Sequence, residues 1–170
     1  MNIYLKTIFT TLTCAYFWYY AKTYQEWHFI DTVNLIFHEA GHTIFFFLGN
    51  FLQVVAGSAT QILIPLLISI YFFYKNEKLN GSIIMLWVGQ NVLNVSLYIG
   101  DAALMQLELL GGDAVVHDWN YILTTLGLIR YTNIIASISF IIGICIIIVA
   151  TIIILIELHL LLISKRVTRS

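Results

Sequence analysis

"SISFIIGICIIIVATIIILIELHLLLI", residues 137–163, holds one acidic residue, Glu157, and one histidine, His159, in an otherwise almost wholly apolar run. At 1.5 Å per residue such a run, if helical, outreaches the roughly 30 Å hydrocarbon core of a bilayer. The rest of the chain agrees. It has 170 residues, 60% hydrophobic and 10% charged, with a mean hydropathy of +0.89. A soluble domain carries roughly 25% charged residues, so this chain lacks the polar surface to cover itself in water. In lipid every backbone polar group must be satisfied within its own segment, which favours helices. The sequence therefore predicts an all-α, polytopic membrane helix bundle forming a single domain over 1–170.

Outward from that run, hydropathy predicts about five transmembrane helices, near 4–21, 29–50, 59–74, 82–106 and 133–162. The third is short and contains the only proline, Pro65, which predicts a broken or re-entrant segment. The first run, "TIFTTLTCAYFWYYAK" (7–22), lacks a small-x-small cleavage site and ends in interface-loving aromatics, so it reads as a retained helix rather than a signal peptide. With alternating spans, Lys22, Lys75, Lys78, Lys165, Arg166 and Arg169 fall on one side and Lys6 and Arg130 on the other. The positive-inside rule then predicts an N-terminus outside and a C-terminus inside, and heavy Ile and Asn usage with a compact size suggests a bacterial protein, hence the cytoplasmic (inner) membrane. A net charge of −1 leaves no basic surface for phosphates, so no nucleic acid is expected as a partner. Cys14 and Cys145 sit in apolar runs and read as packing residues.

Against this background "NLIFHEAGHTIFFFLGN" (34–50) is an anomaly, with three titratable groups inside the second predicted span. "HEAGH" fits H-E-x-x-H. Residues at i and i+4 share a helix face, so His38 and His42 can bind one Zn²⁺. Glu39 beside the first ligand can then act as general base on zinc-bound water. The bland alternative is a pair of core histidines hydrogen-bonded to another helix. Intramembrane ionisable groups are costly, which favours a functional reading.

In this stretch the chain resembles the intramembrane zinc metalloproteases of the site-2 protease type, over roughly residues 30–105. It is also similar to a group of small bacterial membrane proteins with HEAGH, through "GSATQILIP" (57–65), "YIGDA" (98–102) and "HDW" (117–119). The first resemblance implies a protease cutting a membrane-embedded protein or peptide. It also implies a third ligand, an aspartate, from a later span after an asparagine-containing stretch.

A catalytic zinc usually has three protein ligands, and two candidates stand out for the third. Asp101, in "GQNVLNVSLYIGDAALM" (89–105), follows Asn91 and Asn94 in the order the resemblance implies, although the intervening proline is missing. An interfacial carboxylate is its plainer reading. His117, in "LLGGDAVVHDWNYIL" (109–123), follows a turn expected at Gly111 and Gly112 and the polar Asp113. Asp118 could orient it, or the stretch is an interfacial loop anchored by Trp119. Asp101 is favoured, and both residues could bind or flank the metal. By the resemblance, Asn94 would help hold substrate. A zinc hydrolase of a lipid amide or ester, and a non-enzymatic metal or proton site in a transporter subunit or scaffold, stay open as alternatives. Nothing in the sequence sets the oligomeric state.

Overall fold

The computed structural model describes residues 3–107 and 116–167, without the side chains of Arg166 and Val167. The turn expected at Gly111–Gly112, Asp113 and Arg169 lie outside these residues. Six α-helices are described: α1 (Ile3–Lys22), α2 (Phe29–Ile44), α3 (Asn50–Tyr74), α4 (Lys78–Asp101), α5 (Asp118–Thr125) and α6 (Thr132–Val167). Among the described residues, three segments are long and apolar enough to cross a membrane: Asn50–Tyr74, Lys78–Asp101 and Ile129–Lys165.

α2 is built inside out by the standards of water. Asp31, Asn34, His38 and Gly41 form its buried face, while Phe29, Ile36 and Ile44 are 83%, 65% and 56% exposed. That pattern is stable only where the surroundings are apolar and the polar groups find partners within the protein. The helix has 16 residues, about 24 Å of rise, which is short for a bilayer core.

α3 differs from expectation. It runs unbroken from Asn50 through Pro65 to Tyr74. Gln53, Ser58 and Gln61 dilute its apolar run without breaking it: Ser58 and Gln61 turn toward protein partners, and Gln53 lines the cavity. Gly49, at φ 85°, turns the chain into this helix. Pro65 forfeits only one helical N–H, which a buried helix tolerates in lipid.

α4 is the centre of the bundle and packs against α1, α3, α5 and α6. Its closest approach is to α6. A Cβ on Gly89 would lie 2.9 Å from the carbonyl oxygen of Gly143, and one on Gly143 3.0 Å from that of Gly89. Small residues that bring backbones together are what hold helices in a medium as apolar as their side chains. The main apolar cluster joins Phe17 and Tyr20 of α1, Leu86 and Leu93 of α4, and Ile147 and Ile154 of α6.

α1 runs antiparallel to α6. Lys165 Nζ lies 4.0 Å from the Tyr4 ring centre, Trp18 donates to Thr151, and Tyr24 packs on Phe140. α1 therefore ends partway up the bundle. There Tyr20 meets Asp31 of α2, which in turn touches Gln90 and Asn94 near the middle of α4. α2 continues to the level of His42, whose partners lie in the first two turns of α3. α1 and α2 thus share one traverse of the bundle. Five alternating spans would put the start of α1 and the end of α6 at opposite ends of the bundle; here Tyr4 and Lys165 lie together. Reporter enzymes fused before residue 1 and after residue 170 should therefore respond alike in whole cells. Opposite responses would contradict this packing.

Candidate metal centre

Two turns of HExxH helix present His38 and His42 on the face toward α3, as the i, i+4 spacing requires. They can sit that close because both helices thin there. A Cβ on Gly41 would collide with the carbonyl oxygen of Ala56 on α3 and meet the Thr60 hydroxyl at 2.7 Å. A Cβ on Gly57 would lie 2.5 Å from His42 Nε2 and 2.7 Å from His38 Nε2. The glycine of α3 therefore leaves open the space in front of both ring nitrogens.

The third group is Asp118, the first residue of α5. Its Oδ2 lies 2.8 Å from His38 Nε2 and 3.1 Å from His42 Nε2. Among the described residues these three side chains form a group able to hold a metal ion, with one ligand atom from each and all three within 4.8 Å of one another. His38 and Asp118 are buried and His42 is half-buried. α5 is positioned by Leu123, which packs with Val95, Ile99 and Ala102 of α4. Asn120 Nδ2 donates to Ala102 O at 2.8 Å, Tyr98 Oη accepts the Asp118 N–H at 3.1 Å, and Trp119 Nε1 donates to Ser58 at 3.1 Å.

The donor set fits a cation. His42 Nδ1 lies 2.8 Å from the backbone oxygen of Gln53, which can only accept, so its hydrogen sits on Nδ1. His38 Nδ1 faces Gln61 Oε1 at 3.2 Å, with the same consequence. A ring carrying that one hydrogen directs a bare Nε2 lone pair at the Asp118 carboxylate. Three acceptors turned toward one another repel unless positive charge joins them, and a divalent metal does so with all three.

Asp101 and His117 are not part of this group. They pair with each other, His117 Nε2 to Asp101 Oδ2 at 3.1 Å. His117 is the N-cap of α5, and its Nδ1 accepts the Asn120 N–H at 3.2 Å. With one nitrogen accepting and the other donating, its ring has no lone pair left for a metal. Asp101 closes the end of α4 by accepting the N–H groups of Gln106 and Leu107 at 2.9 and 3.0 Å. Adjacent residues at a helix start point about 100° apart, which is why Asp118 faces the histidines while His117 faces Asp101.

Glu39 is exposed and lines a cavity of about 880 Å³ together with His38, His42, Asp118, Tyr98 and Asn94. Asn94 lies on its wall with both ends of its amide engaged: Oδ1 accepts from Gln61 at 2.7 Å and Nδ2 donates to Asp31 at 3.1 Å. Asn91 turns back onto its own helix, donating to Trp87 O at 3.0 Å. Sequence reasoning missed Tyr98, whose hydroxyl holds the Asp118 backbone and whose ring packs 5.9 Å from His38 and 4.3 Å from His117.

No protein-family model, curated protein or solved structure matches the chain. The centre is accordingly defined by its own geometry: an H-E-x-x-H helix completed by an aspartate at the start of a short helix between α4 and α6.

Zinc titration of purified variants separates the candidates. Asp118→Ala should lose zinc affinity by about 100-fold or more, above the 10–100-fold typical of outer-shell changes. Asp101→Ala and His117→Ala should lose less. The reverse order would exclude Asp118 as the ligand.

Proposed function

We propose that this chain is a zinc-dependent intramembrane protease. The reading rests on one observation: Glu39, adjacent in sequence to His38, faces the same cavity as the two histidines and Asp118. That is the arrangement in which an H-E-x-x-H glutamate serves as base. A zinc ion held by His38, His42 and Asp118 would supply Lewis acidity, acidifying a water molecule and polarising a carbonyl. The chain's own residues do the rest. Glu39 accepts the proton of the attacking water and returns it to the leaving amide nitrogen. Gln53 and Gln61 hold the two imidazoles in the tautomer that turns Nε2 inward. Tyr98 and Trp119 keep α5, and with it Asp118, in place.

The substrate class follows from the surroundings. The cavity has room for an extended peptide segment, and helices that line it present apolar side chains outward: Ile36 of α2 and Leu63 of α3 are 65% and 49% exposed. A membrane-borne peptide is the substrate such walls admit. Asn94, committed to Gln61 and Asp31, supports the centre rather than the substrate.

In this reading the chain crosses the membrane in four traverses, with α1 and α2 forming one discontinuous pass. Lys6, Lys75, Lys78 and Lys165 gather at the end that holds both termini, with Arg130 at the other. The positive-inside rule then puts both termini in the cytoplasm and the metal centre toward the opposite face.

Glu39→Gln is the decisive variant. It should bind zinc like the wild type yet lower the rate of cleavage of membrane-embedded peptides in proteoliposomes by at least the 10²–10⁴-fold typical of a lost general base. Wild-type turnover by Glu39→Gln would sink the hydrolase reading. Release of fatty acid from lipid with no peptide cleaved would redirect it to a lipid substrate.

A further inference from the structure

His38 is tied to a carboxylate that lies far from the metal centre. Its Nδ1 faces Gln61 Oε1 at 3.2 Å, Gln61 Nε2 donates to Asn94 Oδ1 at 2.7 Å, and Asn94 Nδ2 donates to Asp31 Oδ1 at 3.1 Å. The run crosses from α2 to α3 to α4 and back to α2. Asp31 and Gln61 are each 3% exposed, and Asn94 between them is half-buried on the cavity wall.

The direction of every bond in this run is fixed from its far end. A second branch reaches the same oxygen: Trp87 Nε1 donates to Asn34 Oδ1 at 2.8 Å, Asn34 Nδ2 to Gln90 Oε1 at 2.9 Å, and Gln90 Nε2 to Asp31 Oδ1 at 2.9 Å. An indole N–H can only donate, so Asn34 and Gln90 have one orientation each, and Asp31 Oδ1 must accept. Tyr20 Oη donates to that oxygen at 2.9 Å, and the His28 backbone N–H to Oδ2 at 2.8 Å. Asn94 must therefore turn its NH₂ toward Asp31 and its oxygen toward Gln61. Gln61 must turn its own oxygen toward His38.

We propose that Asp31 is a positioning residue for the metal centre: acting through Asn94 and Gln61, it holds the hydrogen of His38 on Nδ1 and so keeps Nε2 free for the metal. Metal-binding histidines commonly donate their second N–H to a carboxylate directly; here two amides carry the same instruction over a longer path. The inference rests on the metal reading of the centre and not on proteolysis.

Asp31→Leu tests the inference. Leucine offers no acceptor to Asn94, so nothing holds Asn94, and with it Gln61, in the present sense, and Gln61 can set an N–H against His38 Nδ1. Zinc affinity, measured by chelator competition on the full chain in nanodiscs, should fall about tenfold, the lower end for a lost outer-shell partner. In ¹⁵N-histidine spectra, assigned with His38→Ala, the hydrogen of His38 should leave Nδ1. Adding Gln61→Glu to Asp31→Leu places a carboxylate next to His38, where it accepts the Nδ1 hydrogen without help from residue 31. That double variant should regain most of the affinity and the wild-type tautomer. A purely structural role for Asp31 gives no such rescue. Should Asp31→Leu fail to fold, Gln61→Met, which leaves Asp31 and its other partners intact, should show the same tenfold loss. Wild-type affinity in either single variant, a double variant as weak as Asp31→Leu, or a wild-type His38 carrying its hydrogen on Nε2 would overturn the inference. A wild-type chain that binds no zinc would overturn it together with the metal centre, whereas failure to cleave peptides would leave it untouched.

Discussion

Two imidazole lone pairs and a carboxylate oxygen turned toward one point inside a protein repel one another unless a positive charge lies among them. Much of this molecule is arranged to create that situation. Gly57 clears the space before the two Nε2 atoms, Gly41 lets α2 approach α3, and the apolar contacts of Leu123 hold α5 against α4 so that Asp118 reaches inward. Gln53 and Gln61 then fix the rings, each taking the Nδ1 hydrogen so that no alternative tautomer relieves the repulsion. His117, by contrast, has one donor and one acceptor for its ring.

The same logic orders the bundle. α2 buries Asp31, Asn34 and His38 and exposes Phe29, Ile36 and Ile44, the inverse of a helix in water. Its polar face is paid for by pairing across α1, α3 and α4. Tyr20, Gln61, Gln90 and Asn94 are the partners. The interruption between α1 and α2 falls beside the cavity, where Tyr24, Gln25 and Glu26 are among the lining residues. Non-helical backbone at such a depth is tolerated where it borders a polar space rather than lipid.

Much of this was legible in the sequence. The apolar run at 137–163 announced a membrane helix, and HEAGH announced two histidines on one helical face, which the structure groups with Asp118. The misreadings have physical causes. Polar residues in α3 lowered its hydropathy and hid its first turns, although Gln61 and the Gln53 carbonyl meet the two histidines and Ser58 meets Trp119. Span counting assumed that each helix alternates sides, and only long-range contacts such as Tyr4 with Lys165 reveal that α1 and α2 share a traverse. Asp118 was visible but misassigned as a support for His117. Neighbouring residues at a helix start face different ways, and spacing alone could not say which of the two faced the histidines some eighty positions earlier. The tripeptide "HDW" carried the signal, since each of its residues has its own partner: Asp101, the histidine pair and Ser58.

The central claim, that His38, His42 and Asp118 together hold a metal ion, is tested most directly by X-ray absorption at the zinc edge on the purified full chain. The expected result is about one zinc per chain, with a first shell containing two imidazole nitrogens at about 2.0–2.1 Å and a carboxylate oxygen at about 2.0–2.2 Å, the oxygen disappearing in Asp118→Ala. Absence of bound zinc, or a shell unchanged by Asp118→Ala, would contradict it.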